Sequence, residues 1–589
     1  MVNLAPEKAG GPYCLVIKGK NTLRIHNILV GEVWLCSGQS NMEFTVGNLG
    51  GWQSGVANYR SEIAAANYPL IRQVKILHSI NSLPETNLNT TGWKICDSTT
   101  VADFSGVAYF FAKNLCDSLN IPIGLINDCW GGTNIETWIS REGFENSNEF
   151  REMIAGMPKI SLDSLNQLKA EATLKRIEVL QGINPRSVHA NLFKEFAFDD
   201  TRWPELYEPQ LWEQQCIGEI DGVVWLRKTI VLTKEDACKN AVLELSTIDD
   251  EDSTYINGVL VGSTNLYSTP RKYAVANGLL KEGRNIIAVR VLDTGGGGGI
   301  YGEPAEVRLT LGSKTIPLAG QWKFQVASVQ EGTNQNSLPS LCYNSMIAPL
   351  IPYAFRGVLW YQGEANANRA FQYRKAFPLL IQDWRQKWQE PDMPFYYVQL
   401  ATYNTPGNSN DGCAWAELRE AQTRTLSVSN TGMCVTTDIG NPTNIHPVNK
   451  QDVGKRLAAI AFNAIYNKKM ICSGPAYQSM EIKGNEIMLS FDHIGTGLYT
   501  PDKYGYLKGF EIAGSDHVFY FAKAFIKDNQ VVLSSEKVSR PIAVHYGWVG
   551  DASDCNLYNK EGFPAIPFRT DEWKTQTKGE KYTIDVMKH

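Results

Sequence analysis

Acyl transfer to water needs a nucleophilic hydroxyl, a base to take its proton, and N–H donors aimed at the oxyanion that forms on the attacked carbonyl. Ser40 meets the first need. It lies in the polar turn Ser37-Gly-Gln-Ser-Asn41, directly after the apolar run 33–36, and a strand-to-turn junction exposes the hydroxyl and turns the serine's own N–H toward the carbonyl. His446 meets the second. It is one of eight histidines and stands in Asn441-Pro-Thr-Asn-Ile-His-Pro447, where two prolines restrict the backbone that carries the ring. With an ordinary pKa near ~6.5, imidazole is the usual base at neutral pH. For the third need, Gly131 and Gly132 permit close approach of backbone N–H groups, and Gln362, within Trp360-Tyr-Gln-Gly-Glu364, offers a neutral amide donor. Trp130, Asn41 and Glu364 are the candidate substrate-facing residues; for Glu364, beside a Gly after a strand, an Arg pair or a helix cap is favoured over a catalytic role. The other seven histidines show no metal-ligand spacing, so neither a metal nor a cofactor is expected.

These residues need a scaffold that brings them together. Strands are expected at 33–36, 123–127, 357–361, 395–400 and 432–437, and helices at 107–115, 370–388, 415–426 and 451–466. The last helix places Val453, Leu457, Ile460, Ala461 and Ala464 on one face. Strands alternating with helices imply an α/β fold with a parallel sheet covered on both faces, in which ligands bind beyond the carboxyl ends of the strands. Ser40, Gly131, Gly132, Gln362 and Asp438 each follow such a strand closely.

Between the two halves the character changes. Residues 205–325 carry short alternating strands (223–231, 241–246, 285–291, 305–311) divided by Asn-Gly, Glu-Gly and Gly-rich turns, which reads as an inserted β-sandwich. The run Gly295 to Gly299 is a loop and not a phosphate cradle, because no Gly-Lys-Ser/Thr follows it. The organisation expected is an N-terminal β segment (1–30), a first hydrolase part (31–204), the sandwich (205–325), a second hydrolase part (326–470) and a C-terminal β region (471–589).

A net charge of -5 with scattered Lys and Arg leaves no basic field for nucleic acid, and no apolar run approaches the ~20 residues of a membrane span. Neither is an expected partner. The twelve cysteines are irregularly spaced without a C-x-x-C pair, so free, mostly buried thiols are expected. Residues 2–11 lack the apolar core of a signal peptide; a leader removed ahead of Met1 would place the chain in a bacterial periplasm or outside the cell.

Gly38-Gln-Ser-Asn-Met42, Trp130-Gly-Gly-Thr-Asn-Ile-Glu-Thr-Trp138, Trp360-Tyr-Gln-Gly-Glu364 and Ile445-His-Pro447 occur in that order, and with them the chain resembles the sialate O-acetylesterase family of SGNH hydrolases. The resemblance implies a flavodoxin-like, three-layer SGNH hydrolase domain interrupted by a galactose-binding-like β-sandwich. It implies hydrolysis of acetyl esters on sugars through an acyl-serine intermediate, with an O-acetylated glycan or sialic acid as partner. Ser40 matches the family nucleophile, His446 the base, and Ser40, the Gly131-Gly132 turn and Gln362 the oxyanion hole. It also places Met1 inside the family's N-terminal β region.

One departure bears on mechanism. SGNH hydrolases often carry an aspartate three residues before the base, where this chain has Thr443-Asn-Ile. Three groups could orient the imidazole instead: Asp438 as third triad member, a backbone carbonyl in a Ser/His dyad, or Asn444 as neutral acceptor. Acetylxylan or another acetylated polysaccharide is the alternative substrate, and a carbohydrate-binding protein with a vestigial hydrolase site is the alternative class.

Overall fold

Short runs in which every residue is apolar suit strands buried on both faces. The computed structural model, which describes residues 7–218, 220–330, 333–403 and 409–584, places them in the middle of a seven-stranded sheet. Its order is Thr431–Cys434, Phe395–Val398, Gly357–Tyr361, Glu32–Gly38, Ile123–Cys129, Asn67–Lys75, Lys94–Asp97. All pairings are parallel except that of the edge strand Lys94–Asp97. The strand pleat sends alternate side chains to opposite faces. Trp34, Cys36, Leu359, Tyr361 and Val398 share a core with the helices Gly106–Leu119 and Lys450–Ala464. On the other face Trp360 meets Phe377 and Trp384 of the helix Ala370–Trp388, with ring centroids 6.4 and 5.8 Å away.

Three adjacent strands of this sheet end on the residues of interest: Gly38 leads to Ser40, Cys129 to Trp130 and Tyr361 to Gln362. Gly38 has φ +136°, and a Cβ there would stand 2.2 Å from the Tyr361 carbonyl oxygen. Only glycine lets the chain turn so close to its neighbour. The turn is then fixed by the Gln39 N–H donating to that same carbonyl at 2.9 Å.

This sheet and the β structure after it belong to one compact unit, Met1–Lys159 with Gln335–Ile584. From Ala476 onward, a five-stranded and a four-stranded sheet share a core of Ile487, Leu489, Val531, Phe510, Ile512 and Val544. Near the start, Gly10–Lys18 and Thr22–Val30 form an antiparallel hairpin.

The second unit spans Ile160–Asn334. Gly222–Leu232, Gly283–Asp293, Glu251–Ile256, Val259–Thr264, Gly320–Val329 and Glu205–Glu208 make a six-stranded antiparallel sheet, and Ala241–Leu245, Lys272–Val275, Val307–Leu311 and Lys314–Pro317 a four-stranded one. Val224, Leu226, Ile287 and Val289 of the first sheet share a core with Leu243, Leu245, Val307 and Leu309 of the second. The helix Leu162–Gln181 joins this unit by inserting Ile177 into that core, so the unit begins well before residue 205. Cys36, Cys96, Cys116, Cys129, Cys342, Cys434 and Cys555 are buried thiols outside any disulfide.

Candidate active site

Ser40 is the first residue of a four-residue helix, Ser40–Glu43, that opens directly behind the strand end. At a helix start the first N–H groups have no carbonyl one turn behind them, so the Ser40 N–H has no acceptor within the helix. His446 arrives from the loop ahead of the helix Lys450–Ala464, and its Nε2 lies 2.8 Å from Ser40 Oγ. The two residues are 406 positions apart in sequence.

The imidazole is held by aromatic packing. Trp52 lies 4.9 Å from its centroid and Phe44 6.4 Å, the latter nearly parallel. Burial, with a smaller contribution from the Lys450 charge, lowers the His446 pKa to about 4, so the ring is a neutral proton acceptor at pH 7. The Asn444 side chain accepts the His446 backbone N–H at 2.8 Å and so fixes the loop, not the ring.

Asp438 is not beside the ring. Both its carboxylate oxygens bind the guanidinium of Arg456, at 2.7 and 2.6 Å, because the helix after the loop points that arginine back at the strand end. The expectation of Asp438 as third member is corrected accordingly. Among the described residues no carboxylate bonds His446.

Gln362 is fully buried and committed elsewhere. Its Nε2 donates to Thr133 O at 3.0 Å and to Asn366 Oδ1 at 2.7 Å, and its Oε1 accepts from the Tyr373 hydroxyl at 2.9 Å. With both amide hydrogens taken, Gln362 has no donor left for an oxyanion, and it ties the Trp130-Gly-Gly-Thr133 turn to the next strand instead.

The Gly-Gly turn does reach the serine. A Cβ on Gly131 would lie 3.4 Å from Ser40 Cβ. The Gly131 N–H, however, donates to Glu43 Oε2 at 2.7 Å, whereas a Cβ on Gly132, at φ +73°, would point into open space. Trp130 is half-buried and stacks on His78 at 4.4 Å, and His78 contacts Glu43 Oε1 at 3.1 Å.

Asn41, expected to face substrate, uses all its polar atoms inside the protein. Nδ2 donates to Glu364 Oε1 at 2.6 Å and to Ile445 O at 3.0 Å, and Oδ1 accepts from Lys450 Nζ at 2.6 Å. Glu364, the other substrate-facing expectation, lies beneath Asn41, where burial raises its pKa. Lys450 is fully buried, its ammonium 4.9 Å from the Phe44 ring centre and 5.4 Å from that of Tyr361, and burial lowers its pKa to about 7 against the pull of Glu364.

Sequence reasoning missed Glu43, Phe44, Trp52, His78 and Lys450. Glu43 and Phe44 follow Ser40 by three and four residues, helical spacing that could have found them; a lysine in a helix gives no such signal.

A second Ser/His/Asp array exists but differs in build. Ser409 Oγ meets Nδ1 of His545, whose Nε2 lies 2.8 Å from Asp571 Oδ2. Ser409 and His545 are buried, and Phe519 lies flat on the ring at 3.6 Å. Asp571 is also paired with Arg569 at 3.0 Å, which makes the array a packing element of the C-terminal sheets.

Comparison with known proteins agrees with the motifs. The family model described as carbohydrate esterase, sialic acid-specific acetylesterase, matches residues 30–170 and 329–463. The sialate O-acetylesterase of Mus musculus is 24% identical over 523 residues, 84% of this chain and 68% of that protein. That of Homo sapiens is 36% identical over 150 residues, 24% of this chain and 28% of that protein. A carbohydrate acetylesterase from Xanthomonas citri of known crystal structure is 27% identical, with a TM-score of 0.63 over 97% of this chain and 88% of that one. Four motifs in order, a family model that begins just before Ser40 and ends beyond His446, and relatives matched along most of the chain make this protein a carbohydrate esterase that resembles the sialate O-acetylesterases.

Proposed function

We propose that the chain removes O-acetyl groups from sugars through an acyl-serine intermediate, with O-acetylated sialic acid as the preferred substrate. The observation that carries this reading is the 2.8 Å approach of His446 Nε2 to Ser40 Oγ at the carboxyl ends of three adjacent strands. His446 takes the Ser40 proton as Oγ attacks the acetyl carbon, and the oxyanion that forms is met by the N–H groups of Ser40 and Gly132. The C–O bond to the sugar breaks, and the imidazolium returns its proton to the departing sugar oxygen. Water, giving a proton to the same ring, then attacks the acetyl-serine; the bond from Oγ to the acetyl carbon breaks, the ring returns the proton to Oγ, and acetate leaves.

The base acts within a dyad, oriented by Trp52, Phe44 and the Asn41 clamp on its loop. Trp130 and the half-exposed Trp52 offer aromatic faces to the sugar ring. The sialate preference is supported by the family model and the relatives named above. The architecture proposed is an SGNH-type hydrolase domain in two parts, 31–159 and 335–470, interrupted by the unit Ile160–Asn334 that holds a galactose-binding-like β-sandwich, with further β segments at 7–30 and 471–584. The parallel sheet and the two antiparallel sheets sharing a core support it.

Acetate release from O-acetylated sialic acid and from acetylated xylan tests the reading, with the natural chain beside Ser40→Ala and His446→Ala. Each variant is expected to lose about 10³-fold or more of the rate, and sialate to be the better substrate. Equal rates in all three proteins would remove the Ser/His mechanism, and a preference for xylan would move the substrate to acetylated polysaccharide.

A further inference from the structure

The six-stranded sheet of the second unit carries more on its outer face than a spacer requires. Along Gly222–Leu232, Val224 and Leu226 enter the shared core, so Val223 and Trp225 point away from it. On the neighbouring strands Arg290 stands opposite Trp225, and Tyr255 opposite Ala288. The segment from Ala190 to Trp203 covers part of this face through a small cluster of Phe193, Trp203, Trp225, Ile286 and Ala288. It stops short of covering the rest. A cleft of about 400 Å³ remains, lined by Trp225, Tyr255, Arg290, Lys194, Asn191 and Ser328 among others, with no acidic residue in its wall.

Three features set this cleft apart from an ordinary surface fold. Trp225 and Tyr255 are stacked with centroids 5.8 Å apart and planes 26° from parallel, forming one aromatic floor. Lys194 Nζ sits 5.6 Å from the Tyr255 ring centre, and Arg290 is half-buried with no carboxylate partner among the described residues. The Trp225 indole N–H is buried, and no acceptor meets it among the described residues. The wall thus carries two cations and no acidic residue to balance them.

We propose that this cleft binds a carboxylated sugar, with its carboxylate on Arg290 and Lys194 and the C–H edge of its ring against Tyr255, which Trp225 backs. A guanidinium presents two parallel N–H groups that match a carboxylate, and the cavity has the size of a one- to two-ring ligand. Asn191 and Ser328 supply hydroxyl partners at the rim. The site would hold an anionic glycan independently of the Ser40 centre, and it stands whether or not that centre prefers sialate.

The test is a tryptophan-fluorescence titration of the full chain with N-acetylneuraminic acid, glucuronic acid and the methyl ester of N-acetylneuraminic acid. Saturable binding of the two acids is expected, weakened about tenfold or more in the methyl ester, in Arg290→Met and in Lys194→Met, because each loses one charge-assisted contact. Ser40→Ala should bind the acids as tightly as the natural chain. Hydrolysis of 4-nitrophenyl acetate should be unchanged in Arg290→Met and Lys194→Met, which separates this site from the esterase reading. Absence of saturation, equal affinity for acid and methyl ester, or unchanged affinity in both cation variants overturns the proposal.

Discussion

Asn41 follows the Ser40 hydroxyl by one residue and donates, through Nδ2, to the carbonyl of Ile445, one residue before the imidazole, at 3.0 Å. One side chain thus ties the strand-end turn to a loop from the far end of the hydrolase sequence. In the proposed mechanism it sets the distance across which the proton moves. Removing the clamp as Asn41→Ala is expected to lower kcat for 4-nitrophenyl acetate by about 10- to 100-fold with KM little changed, since misplacing a base costs rate more than binding. The same change leaves the Lys450 ammonium and a Glu364 oxygen without their partner, at a cost of about 1–3 kcal/mol in chemical denaturation. A variant with natural kcat would show that the loop holds its own shape.

The pH profile follows from the burial of His446. Its pKa of about 4 means that the ring stays an acceptor down to mildly acidic pH, so the acidic limb of kcat/KM is expected near pH 4 and not near ~6.5. Lys450, at about 7, is charged where His446 titrates and opposes its protonation. Replacing it as Lys450→Met removes that opposition, so the imidazolium forms at higher pH and the limb moves up. Burial remains, and the limb should settle below ~6.5. A limb that stays in place would mean that the lysine charge does not reach the ring.

Asp438 offers a sharp separation of dyad from triad. Where a carboxylate orients the base, its amide replacement lowers kcat on the order of 10⁴-fold. Here the carboxylate serves Arg456, so Asp438→Asn is expected to change kcat less than about 3-fold while weakening the fold through the broken, largely buried ion pair. Steady-state kinetics beside a denaturation curve reads both effects, and a loss of three or more decades in kcat would restore the triad.

The elements were legible where local pattern decides structure. Residues 357–361 and 370–388 form the expected strand and helix to the residue, because a run apolar at every position and a long amphipathic stretch each admit one solution. Ser40 and His446 were legible because their short motifs sit at a strand end and between prolines. Partner choice was not. Asp438 meets Arg456 only once the loop around His446 has closed, and Lys450 is printed in the sequence like any surface lysine, with nothing local to say that Asn41 and two aromatic rings will bury it. Nor did the weakly amphipathic helix Leu162–Gln181 declare that it packs with the antiparallel sheets.

Gln362 separates support of the site from direct participation. Loss of a donor that contacts the oxyanion costs about 10²–10³ in kcat and leaves stability nearly untouched. Gln362 instead bonds Thr133, Asn366 and Tyr373 in the buried interior, so Gln362→Leu is expected to show the reverse balance. Stability should fall by about 1–3 kcal/mol as those buried groups lose partners, and kcat should fall less than about tenfold, through displacement of the Gly131-Gly132 turn. The deciding quantity is the ratio between the two effects, read from denaturation and from 4-nitrophenyl acetate kinetics on one preparation. A stable variant that has lost two decades of kcat would return Gln362 to the oxyanion hole, and would require its amide to leave Thr133 when substrate binds.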